Sequence, residues 1–343
     1  MISSLHEERK LKSLRSLLND SERIVVVTHS APDGDAAGSS LALMHVLGHL
    51  GKEVRVILPD MLPPLLRKLP GAKDATDATR YPDFARKLIA DADLIICVDF
   101  NEPGRAGSLG PEILKATAPK VMIDHHLHPA DFAAVTISRP EMSSTCYLLF
   151  RVLCGLELFT MIDKAAAECL LTGMMTDTGN FAFSFLTPEL FRAVAVLVEK
   201  GISIPDIHNS VYNAYTEGRA RLFGYAINRK MEVIQDGTVA YMSLLENEMR
   251  RFQFQQGDSE GFVNYALTIK KVKMSAMFLA HRKFIRVSLR SRGDVDVNLF
   301  ARKYFSGGGH KNAAGGKSFV SMQETIDHYV RSVREFADEG HLG

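Results

Sequence analysis

Histidine and aspartate side chains recur along the first half of the chain in a pattern that could bind metal ions. The residues concerned are His29, Asp33, Asp35, Asp99, His125 and Asp177. Two imidazoles and four carboxylates without a thiolate favour Mn, Fe or Mg over a structural zinc site. They are too many for one ion with an open position, but they suit two cations that share a carboxylate. Because two divalent ions about 3.5–4 Å apart clamp both the attacking and the leaving oxygen of a phosphoryl displacement, the pattern predicts hydrolysis of a phosphate ester.

Apolar runs precede these polar residues and indicate the elements that would position them. The runs are residues 24–27 before His29, 94–98 before Asp99, 121–123 before Asp124-His125-His126 and, less strand-like, 169–176 before Asp177. Short apolar runs are typical of buried parallel strands, and ligands of open α/β sheets bind outside the carboxyl ends of the strands. We therefore expect one sheet and its flanking helices to bring these side chains together.

Each segment also has an ordinary structural interpretation. A single Asp at the end of a strand is more often a helix N-cap than a metal ligand. Asp33-Gly34-Asp35 could be a turn, and His125-His126 could be a surface pair. Only the combination of the segments distinguishes a metal site from these alternatives.

In combination and in order, the motifs resemble those of the DHH phosphoesterases. His29-x-x-x-Asp33-x-Asp35, Asp99, Asp124-His125-His126 and Asp177 match the four metal-binding motifs of that family. Near the C-terminus, Gly-Gly-Gly-His at 307–310 and Ala-Ala-Gly-Gly at 313–316 resemble the signature of the companion DHHA1 domain. The resemblance covers nearly the whole chain.

The resemblance implies how the metal-binding positions are divided between two ions. One ion would be bound by His29, Asp33 and Asp99, and the other by Asp35, Asp99, His125 and Asp177, with Asp99 as the bridge. The expected cofactors are two divalent ions, Mn²⁺ first, with Mg²⁺ or Fe²⁺ as alternatives. Such cations lower the pKa of a water from about 15.7, so an activated hydroxide can attack without a nucleophilic side chain.

Two residues beside the ligands have predicted catalytic roles. Asp124 is expected to accept the second ring N–H of His125 and so to fix its tautomer. His126 is expected to stay free of the metals and to donate to a phosphate oxygen or to the leaving group. The ordinary alternative for His126 is a histidine that only fills the loop.

The substrate-binding residues are predicted mainly in the C-terminal part of the chain. They are Arg290, Ser291, Gly308, Gly309 and His310, with Arg105 as a further candidate in the loop after Asp99. Arg290 and Ser291 resemble the Arg-Ser element of the family, and the glycines would let backbone N–H groups approach an anion. A solvated arginine is the commoner interpretation of Arg105.

The order of elements predicts two α/β domains. Alternating strands and helices indicate a doubly wound, mostly parallel sheet over residues 1–190, the DHH domain of the resemblance. A helical linker over 191–230 and a smaller α/β domain over 231–343, the DHHA1 domain, would follow. With 343 residues and 46% hydrophobic content, the chain is long enough for two domains. The active site is expected in the cleft between them.

Charge, cysteine content and hydropathy indicate the setting. The net charge of +1 argues against a protein that coats polyanions, but residues 219–311 are rich in Lys and Arg, which would suit a phosphate-bearing substrate. The four cysteines form no Cys-x-x-Cys pair and are expected to be buried free thiols. No run approaches the ~20 apolar residues that span a bilayer, and residues 1–20 lack a signal-peptide core. We expect no membrane association and a cytoplasmic location.

The substrate is predicted from the branch of the family that the chain resembles. Its compact two-domain length resembles the oligoribonuclease and pAp-phosphatase branch, which hydrolyses very short RNA to mononucleotides and can dephosphorylate adenosine 3′,5′-bisphosphate (pAp). Expected partners are therefore short RNA or DNA oligonucleotides, dinucleotides and pAp, and a homodimer is left open.

Three alternatives remain for the function. A RecJ-like single-strand exonuclease would usually carry an added OB-like domain, which is not found in the sequence. A phosphodiesterase for cyclic or linear dinucleotides would use the same metal motifs. A dinucleotide-binding module without activity is the non-enzymatic alternative, and the intact set of six ligands disfavours it.

Overall fold

The computed structural model describes residues 7–182, 186–255 and 257–342. The chain divides into two compact units, Met1–Ala214 and Tyr215–Gly343. The helices that the sequence assigned to a linker are shared between the units, because those before Ala214 belong to the first unit and the next one belongs to the second. The limits of 190 and 230 stay predictions. Among the described residues, no helix combines the length and the apolar character needed to cross a membrane.

The first unit is built on a six-stranded parallel sheet. Its strands are β1 (Arg23–Val27), β2 (Glu53–Leu58), β3 (Thr76–Asp77), β4 (Leu94–Val98), β5 (Lys120–Asp124) and β6 (Val135–Ser138), in the spatial order β3-β2-β1-β4-β5-β6. All neighbouring pairs are parallel. Since β1 and β4 are buried on both faces, they are almost continuously apolar. The predicted parallel sheet is confirmed.

Helices cover both faces of this sheet. They are α1 (Glu8–Asn19), α2 (Gly34–His49), α3 (Pro82–Ala90), α4 (Gly110–Lys115), α5 (Thr145–Gly155), α6 (Lys164–Asp177), α7 (Pro188–Val198) and α8 (Ile204–Tyr212). Alternate residues of β1 enter separate cores: Ile24 and Val26 pack with α2, α5 and α6, whereas Val25 and Val27 pack with α3 and α4. The sheet therefore has helices on both faces and is doubly wound, as predicted.

The strand order places a crevice between β1 and β4. From β1 the chain proceeds outward to β2 and β3, and from β4 it proceeds outward in the other direction to β5 and β6. Such a switch in strand order opens a crevice at the carboxyl ends of the two strands, where ligands bind. His29 follows β1 and Asp99 follows β4 directly, so the chain brings a histidine and an aspartate to this crevice.

The apolar run before Asp177 is helical. Residues 169–176 belong to α6, which begins after Asp163, whose side chain accepts a hydrogen bond from the Ala166 N–H. A buried helix and a buried strand cannot be told apart by an apolar run alone. Asp177 is the last residue of α6 and therefore lies on a flanking helix, not on the sheet.

Helices α2 and α6 approach each other closely at two glycines of α2. A Cβ atom on Gly34 would overlap the Thr176 side chain, and one on Gly38 would overlap the carbonyl oxygen of Cys169. On α6, a Cβ on Gly173 would overlap the sulfur of Cys146 in α5. The close approach at Gly38 brings α2 against the backbone of α6.

The second unit is a six-stranded mixed sheet with two core layers. Its strands are β7 (Met231–Ile234), β8 (Val239–Leu244), β9 (Met274–His281), β10 (Phe284–Ser291), β11 (Gly308–His310) and β12 (Ala313–Ser318), in the order β11-β12-β10-β9-β8-β7. Its helices are α9 (Glu217–Tyr225), α10 (Glu246–Arg251), α11 (Phe262–Tyr265), α12 (Val297–Phe305) and α13 (Met322–Asp338). One core lies with α12 and α13 and the other with α9, α10 and α11, so a second α/β domain is confirmed.

Candidate metal centre

Asp99 lies among histidine and aspartate side chains at the carboxyl edge of the first sheet. Its side chain is 2% exposed, and its Oδ2 lies 3.3 Å from His29 Nε2. Its Oδ1 lies 3.7 Å from His125 Nε2 and accepts a hydrogen bond of 2.9 Å from the Thr145 hydroxyl. The two oxygens of one buried carboxylate thus lie beside two different histidines.

The backbone of Asp99 is held in an uncommon conformation. Its φ of 64° lies in the left-handed region, which costs a residue other than glycine about 1–3 kcal/mol. Its N–H donates to the Ile123 carbonyl at 3.1 Å, and this bond ties the residue to the end of β5. The surrounding structure therefore maintains a strained turn that directs the carboxylate into the crevice.

The first cluster consists of His29, Asp33 and Asp99, whose ligand atoms lie within 4.8 Å of one another. His29 Nδ1 lies 2.8 Å from the Ser30 carbonyl oxygen. Because a carbonyl can only accept, Nδ1 carries a proton, and Nε2 is the nitrogen left to bind a metal. Asp33 also caps α2, since its Oδ1 accepts from the N–H groups of Asp35 and Ala36 at 3.0 and 3.1 Å.

The second cluster consists of Asp35, His125 and Asp177, again within 4.8 Å of one another. His125 Nε2 lies 3.1 Å from Asp177 Oδ2 and 3.8 Å from Asp35 Oδ2. His125 Nδ1 lies 3.1 Å from the Met142 carbonyl oxygen, so the same reasoning leaves Nε2 as the nitrogen that can bind a metal. Both clusters thus present a histidine Nε2 next to carboxylates.

Asp35 is anchored at the start of α5. Its Oδ2 accepts from the Thr145 N–H at 2.6 Å, and its Oδ1 accepts from the Cys146 N–H at 2.8 Å. The first N–H groups of a helix have no partner within the helix and favour negative charge. Ser144, the N-cap of α5, binds the Tyr147 N–H. Asp35 is therefore a fixed carboxylate that is held by another segment of the chain.

Asp124 contacts a different histidine from the one expected. Its Oδ1 lies 2.7 Å from His126 Nδ1, and its Oδ2 accepts from the His126 N–H at 2.9 Å. The expectation that Asp124 orients His125 is wrong, because the Met142 carbonyl occupies that position and both oxygens of Asp124 turn to the next residue. Asp99, Asp124 and His126 also form a group whose ligand atoms lie within 4.8 Å of one another.

The electrostatics of the clusters fit divalent cations. Burial raises the pKa of Asp35, and the negative charge of Asp99 raises it further, so this carboxylate needs a nearby positive charge to stay ionised. Burial lowers the pKa of His29, but the hydrogen bond to Asp99 and the charge of Asp33 outweigh it and raise the pKa to about 9. Four carboxylates with two imidazole nitrogens form a donor set suited to hard or borderline divalent metals.

Arg105 lies close to the first cluster. Its carbonyl oxygen accepts from the Ser30 N–H at 2.7 Å, and its positive charge lowers the pKa of His29. The side chain is half-buried in the segment Pro103–Leu109. The structure therefore places Arg105 within electrostatic range of the centre, and a contact with a phosphate stays a prediction.

The expected substrate-binding residues of the second unit have their own partners. Arg290 Nη1 donates to the Leu289 carbonyl at 3.0 Å. The Ser291 hydroxyl donates to the Val295 carbonyl at 2.6 Å and accepts from Asn312 Nδ2 at 2.9 Å. Ser291 thus stabilises the turn after β10. Binding of substrate by either residue stays a prediction.

The glycines before His310 have a structural reason that the sequence did not indicate. A Cβ on Gly307 would overlap the backbone of β12, and Gly309 has a φ of 151° that favours glycine. The Gly307 N–H donates to the Ala301 carbonyl at 3.1 Å, and the Gly309 N–H donates to Asn298 Oδ1 at 2.9 Å. The idea that these two N–H groups are offered to an anion is therefore wrong. Substrate binding by Gly308, Gly309 and His310 stays untested.

Sequence reasoning missed Thr145. Its hydroxyl donates to Asp99 and its N–H donates to Asp35, so one residue at the start of α5 positions carboxylates of both clusters. The available signal was Ser144-Thr145 before an apolar helix, which is typical of a helix start. That the Asp35 carboxylate binds at the N-terminus of α5 depends on the tertiary fold.

Comparisons with known proteins agree with this geometry. The DHH family, N-terminal domain, matches residues 23–174, and the DHHA1 domain matches residues 236–338. The chain is 30% identical over 318 residues to the bifunctional oligoribonuclease and PAP phosphatase NrnA of Thermus thermophilus, covering 91% of this chain and 89% of that protein. The chain therefore belongs to the DHH family and carries a DHHA1 domain, and it is a phosphoric ester hydrolase.

A further relative and a solved structure are also similar to the chain. The chain is 23% identical over 344 residues to the cyclic-di-AMP phosphodiesterase GdpP of Bacillus subtilis, covering 96% of this chain but 50% of that protein. The crystal structure of an exopolyphosphatase-related protein from Bacteroides fragilis is similar with a TM-score of 0.91 and 41% identity, covering 96% of each chain.

Proposed function

We propose that the chain is a two-metal phosphodiesterase that hydrolyses short oligonucleotides, including dinucleotides, to mononucleotides, and that it also removes the 3′-phosphate of pAp. The observation that carries the proposal is the buried carboxylate of Asp99, whose oxygens lie beside His29 and His125 of two separate clusters. A carboxylate in this position can be shared by two cations. Similarity to the Thermus oligoribonuclease and PAP phosphatase supports the substrate class.

The proposed ligands divide as the clusters do. One cation would be bound by His29, Asp33 and Asp99, and the other by Asp35, Asp99, His125 and Asp177. Mn²⁺ is the proposed native ion, with Mg²⁺ and Fe²⁺ as alternatives, because imidazole and carboxylate together suit these metals. When bound, the two cations supply Lewis acidity, which lowers the pKa of a water and neutralises phosphate charge.

His126 is the proposed proton donor to the leaving group. Its Nδ1 lies 2.7 Å from Asp124 Oδ1, and Asp124 is fully buried. A carboxylate in this position holds the imidazole ring and fixes its orientation, in the way that Asp supports His in hydrolytic triads. The other ring nitrogen can then give a proton to an oxygen of the substrate.

The proposed substrate contacts lie in both units. Arg105 would contact a phosphate beside the first cluster. Arg290, Ser291, Gly308, Gly309 and His310 would hold the nucleotide through the second unit. The four cysteines are free, three of them buried and Cys154 half-buried, which suits a reducing compartment, so we also propose a cytoplasmic location. A homodimer remains a prediction that light scattering can check.

The test is release of mononucleotide from the dinucleotide pApA with and without Mn²⁺. Hydrolysis that depends on the metal, compared across a 5-mer RNA, pAp and long single-stranded DNA, would define the substrate range. Cyclic di-AMP belongs in the panel as the second candidate, because nearly the whole chain matches half of a cyclic-di-AMP phosphodiesterase. Tight binding of a dinucleotide without turnover would instead support a binding module.

A further inference from the structure

The turn between β9 and β10, together with the end of β12, forms an exposed basic and aromatic surface on the second unit. We define the hairpin patch as Arg282, Lys283, Phe284, Arg286, Lys317 and Phe319. Phe284 pairs with His281 across the hairpin, and Arg286 pairs with Lys317 on β12. Arg282, Lys283, Arg286 and Lys317 are all exposed. Sheet pairing therefore fixes the two halves of the patch side by side.

The aromatic part of the patch is an ordered stack with one open ring. The Phe284 ring lies on His281, with centroids 5.0 Å apart and an interplanar angle of 19°. The Lys317 ammonium lies 4.9 Å from the Phe284 centroid. Phe319, 6.5 Å from Phe284, is 77% exposed. A large ring open to solvent and bordered by cations is typical of a platform for a nucleobase.

The side chains that surround the aromatic rings of the patch are positively charged, whereas His281 within the stack is not. Burial lowers the pKa of His281, and the neighbouring charges of Arg286 and Lys317 lower it further, whereas Glu246 acts in the opposite direction. His281 is therefore neutral near pH 7 and serves as part of the stack. The exposed Arg282, Lys283, Arg286 and Lys317 make this surface basic, which suits a chain of phosphates.

Strand β10 connects the patch to the proposed substrate residue Arg290. Alternate strand residues share a face, so Phe284, Arg286, Ser288 and Arg290 lie on one side, whereas Ile285, Val287 and Leu289 enter the core on the other. At about 3.3 Å per residue, Phe284 and Arg290 are roughly 20 Å apart along the strand. A dinucleotide held at Arg290 would not reach the patch, but a single strand of roughly six stacked nucleotides, at 3.4 Å each, would.

We propose that the hairpin patch binds single-stranded nucleic acid beyond the nucleotides that are cleaved, with a base stacked on Phe319 and phosphates on Arg286 and Lys317. The inference rests on the proposed function for the class of ligand. It makes the second unit a site that distinguishes oligonucleotides by length. The patch contains no residue of the metal centre, so binding there and cleavage can be measured independently.

The test is binding of a fluorescent 12-nucleotide single strand to the full chain, followed by anisotropy at several salt concentrations. Ca²⁺ is added in place of Mn²⁺, and the strand is checked to be intact after each titration. Phe319→Ala should weaken binding about tenfold, because one base stack is lost. Arg286→Ala with Lys317→Ala should lower the slope of log K against log salt by about 0.7 for each phosphate contact removed. Both variants should hydrolyse pApA as wild type does.

Matched controls separate the patch from general effects of charge and hydrophobicity. Arg334→Ala removes an exposed charge on α13, and Phe84→Ala removes an exposed ring on α3, so both should bind the 12-mer as wild type does. Patch variants that bind like these controls, or a duplex that competes as well as the single strand, would overturn the inference. Weaker 12-mer binding by the patch variants, together with no hydrolysis of pApA by the wild type, would reject the proposed function but support nucleic-acid binding at the hairpin patch.

Discussion

The two histidine–aspartate clusters share Asp99 but differ in how the protein holds their other carboxylates. In the first cluster, Asp33 has a side chain that is 56% exposed and also caps α2. In the second, Asp35 is 1% exposed and is fixed by two N–H groups of α5. Both carboxylates accept hydrogen bonds from two backbone N–H groups, but those of Asp33 come from its own helix and use one oxygen, whereas those of Asp35 come from α5 and use both. The Asp35 carboxylate is therefore fixed in a buried site, and the Asp33 carboxylate keeps one oxygen open to solvent.

Loss of the shared residue should have the largest effect. Asp99→Asn removes the charge common to both clusters, and Asn tolerates a left-handed backbone, so the fold should survive. We expect the rate of pApA hydrolysis to fall at least about a thousandfold, because metal stabilisation of the transition state is worth several kcal/mol. Activity within tenfold of wild type at saturating Mn²⁺ would contradict a bridging role. Asp93→Asn, at a surface carboxylate, is the control.

Substituting one unshared aspartate of each cluster tests the difference directly. Asp33→Asn keeps a good helix cap, so we expect one fewer bound metal with little change in melting temperature. Asp35→Asn should also lose one metal and should destabilise the fold by about 1–3 kcal/mol, because an amide cannot accept both buried N–H groups of α5. Metal analysis and thermal unfolding of both variants check this. Equal stability losses would show that the clusters are held alike.

Metal binding at the first cluster should weaken as the pH falls. Without metal, the pKa of His29 is raised to about 9, from an ordinary 6.5, and a cation must displace its proton to bind. Below about pH 9, each unit of pH should therefore lower the Mn²⁺ affinity about tenfold. Calorimetric titration of wild type and Asp33→Asn at several pH values separates the clusters. An affinity independent of pH would show that metal binding does not displace a proton from His29.

Changes in the second unit should leave both clusters intact. If Arg290 and His310 only hold the substrate, Arg290→Ala and His310→Ala should each lower kcat/KM on a dinucleotide by roughly one to two decades, as expected for loss of one charge-assisted hydrogen bond. Metal content should stay at the wild-type level. A variant that loses metal would show that its role has been misassigned, and unchanged kinetics in both would remove the second unit from substrate binding.

The smallest effect is expected at the cysteines, because neither cluster contains a thiol. Cys154 is half-buried and free, so Cys154→Ser should keep activity within about twofold, as is usual for substitutions away from a site. Cys146 contributes its backbone N–H to Asp35, and its sulfur is not needed for that bond. Inactivation by a thiol-blocking reagent, with metal retained and the fold intact, would count against this view.

The sequence predicted the parts of the site that lie next to regular strands. His29 and Asp99 follow β1 and β4, and parallel strands end at the same edge, so their proximity could be inferred from order alone. Asp177 was expected beside them, but its position at the end of a helix required the tertiary fold, because an apolar run does not reveal whether it is a strand or a helix. The parallel sheet, the second sheet and the closeness of the histidines and aspartates all followed from local pattern.

The orientation of side chains could not be predicted in the same way. Asp124 binds His126 because the Met142 carbonyl already satisfies His125, and that carbonyl comes from a segment with no motif. Likewise, Asn298 accepts a hydrogen bond from the Gly309 N–H, although Asn298 lies at the start of α12 and Gly309 lies beyond its end. Hydrogen-bond partners of this kind depend on which segments meet in the fold, and no spacing within one segment encodes them.

The contact between α2 and α6 limits how a lineage of such chains can vary. Asp35 lies in the first turn of one helix and Asp177 ends the other. A methyl group on Gly34 or Gly38 would overlap α6, and one on Gly173 would overlap Cys146 and the Asp35 carboxylate. An alanine at any of the three would displace the atoms that it overlaps and disturb the carboxylates that meet at this point. Inherited substitutions at these glycines should therefore be eliminated as strictly as those at the histidines, although no glycine offers an atom to an ion.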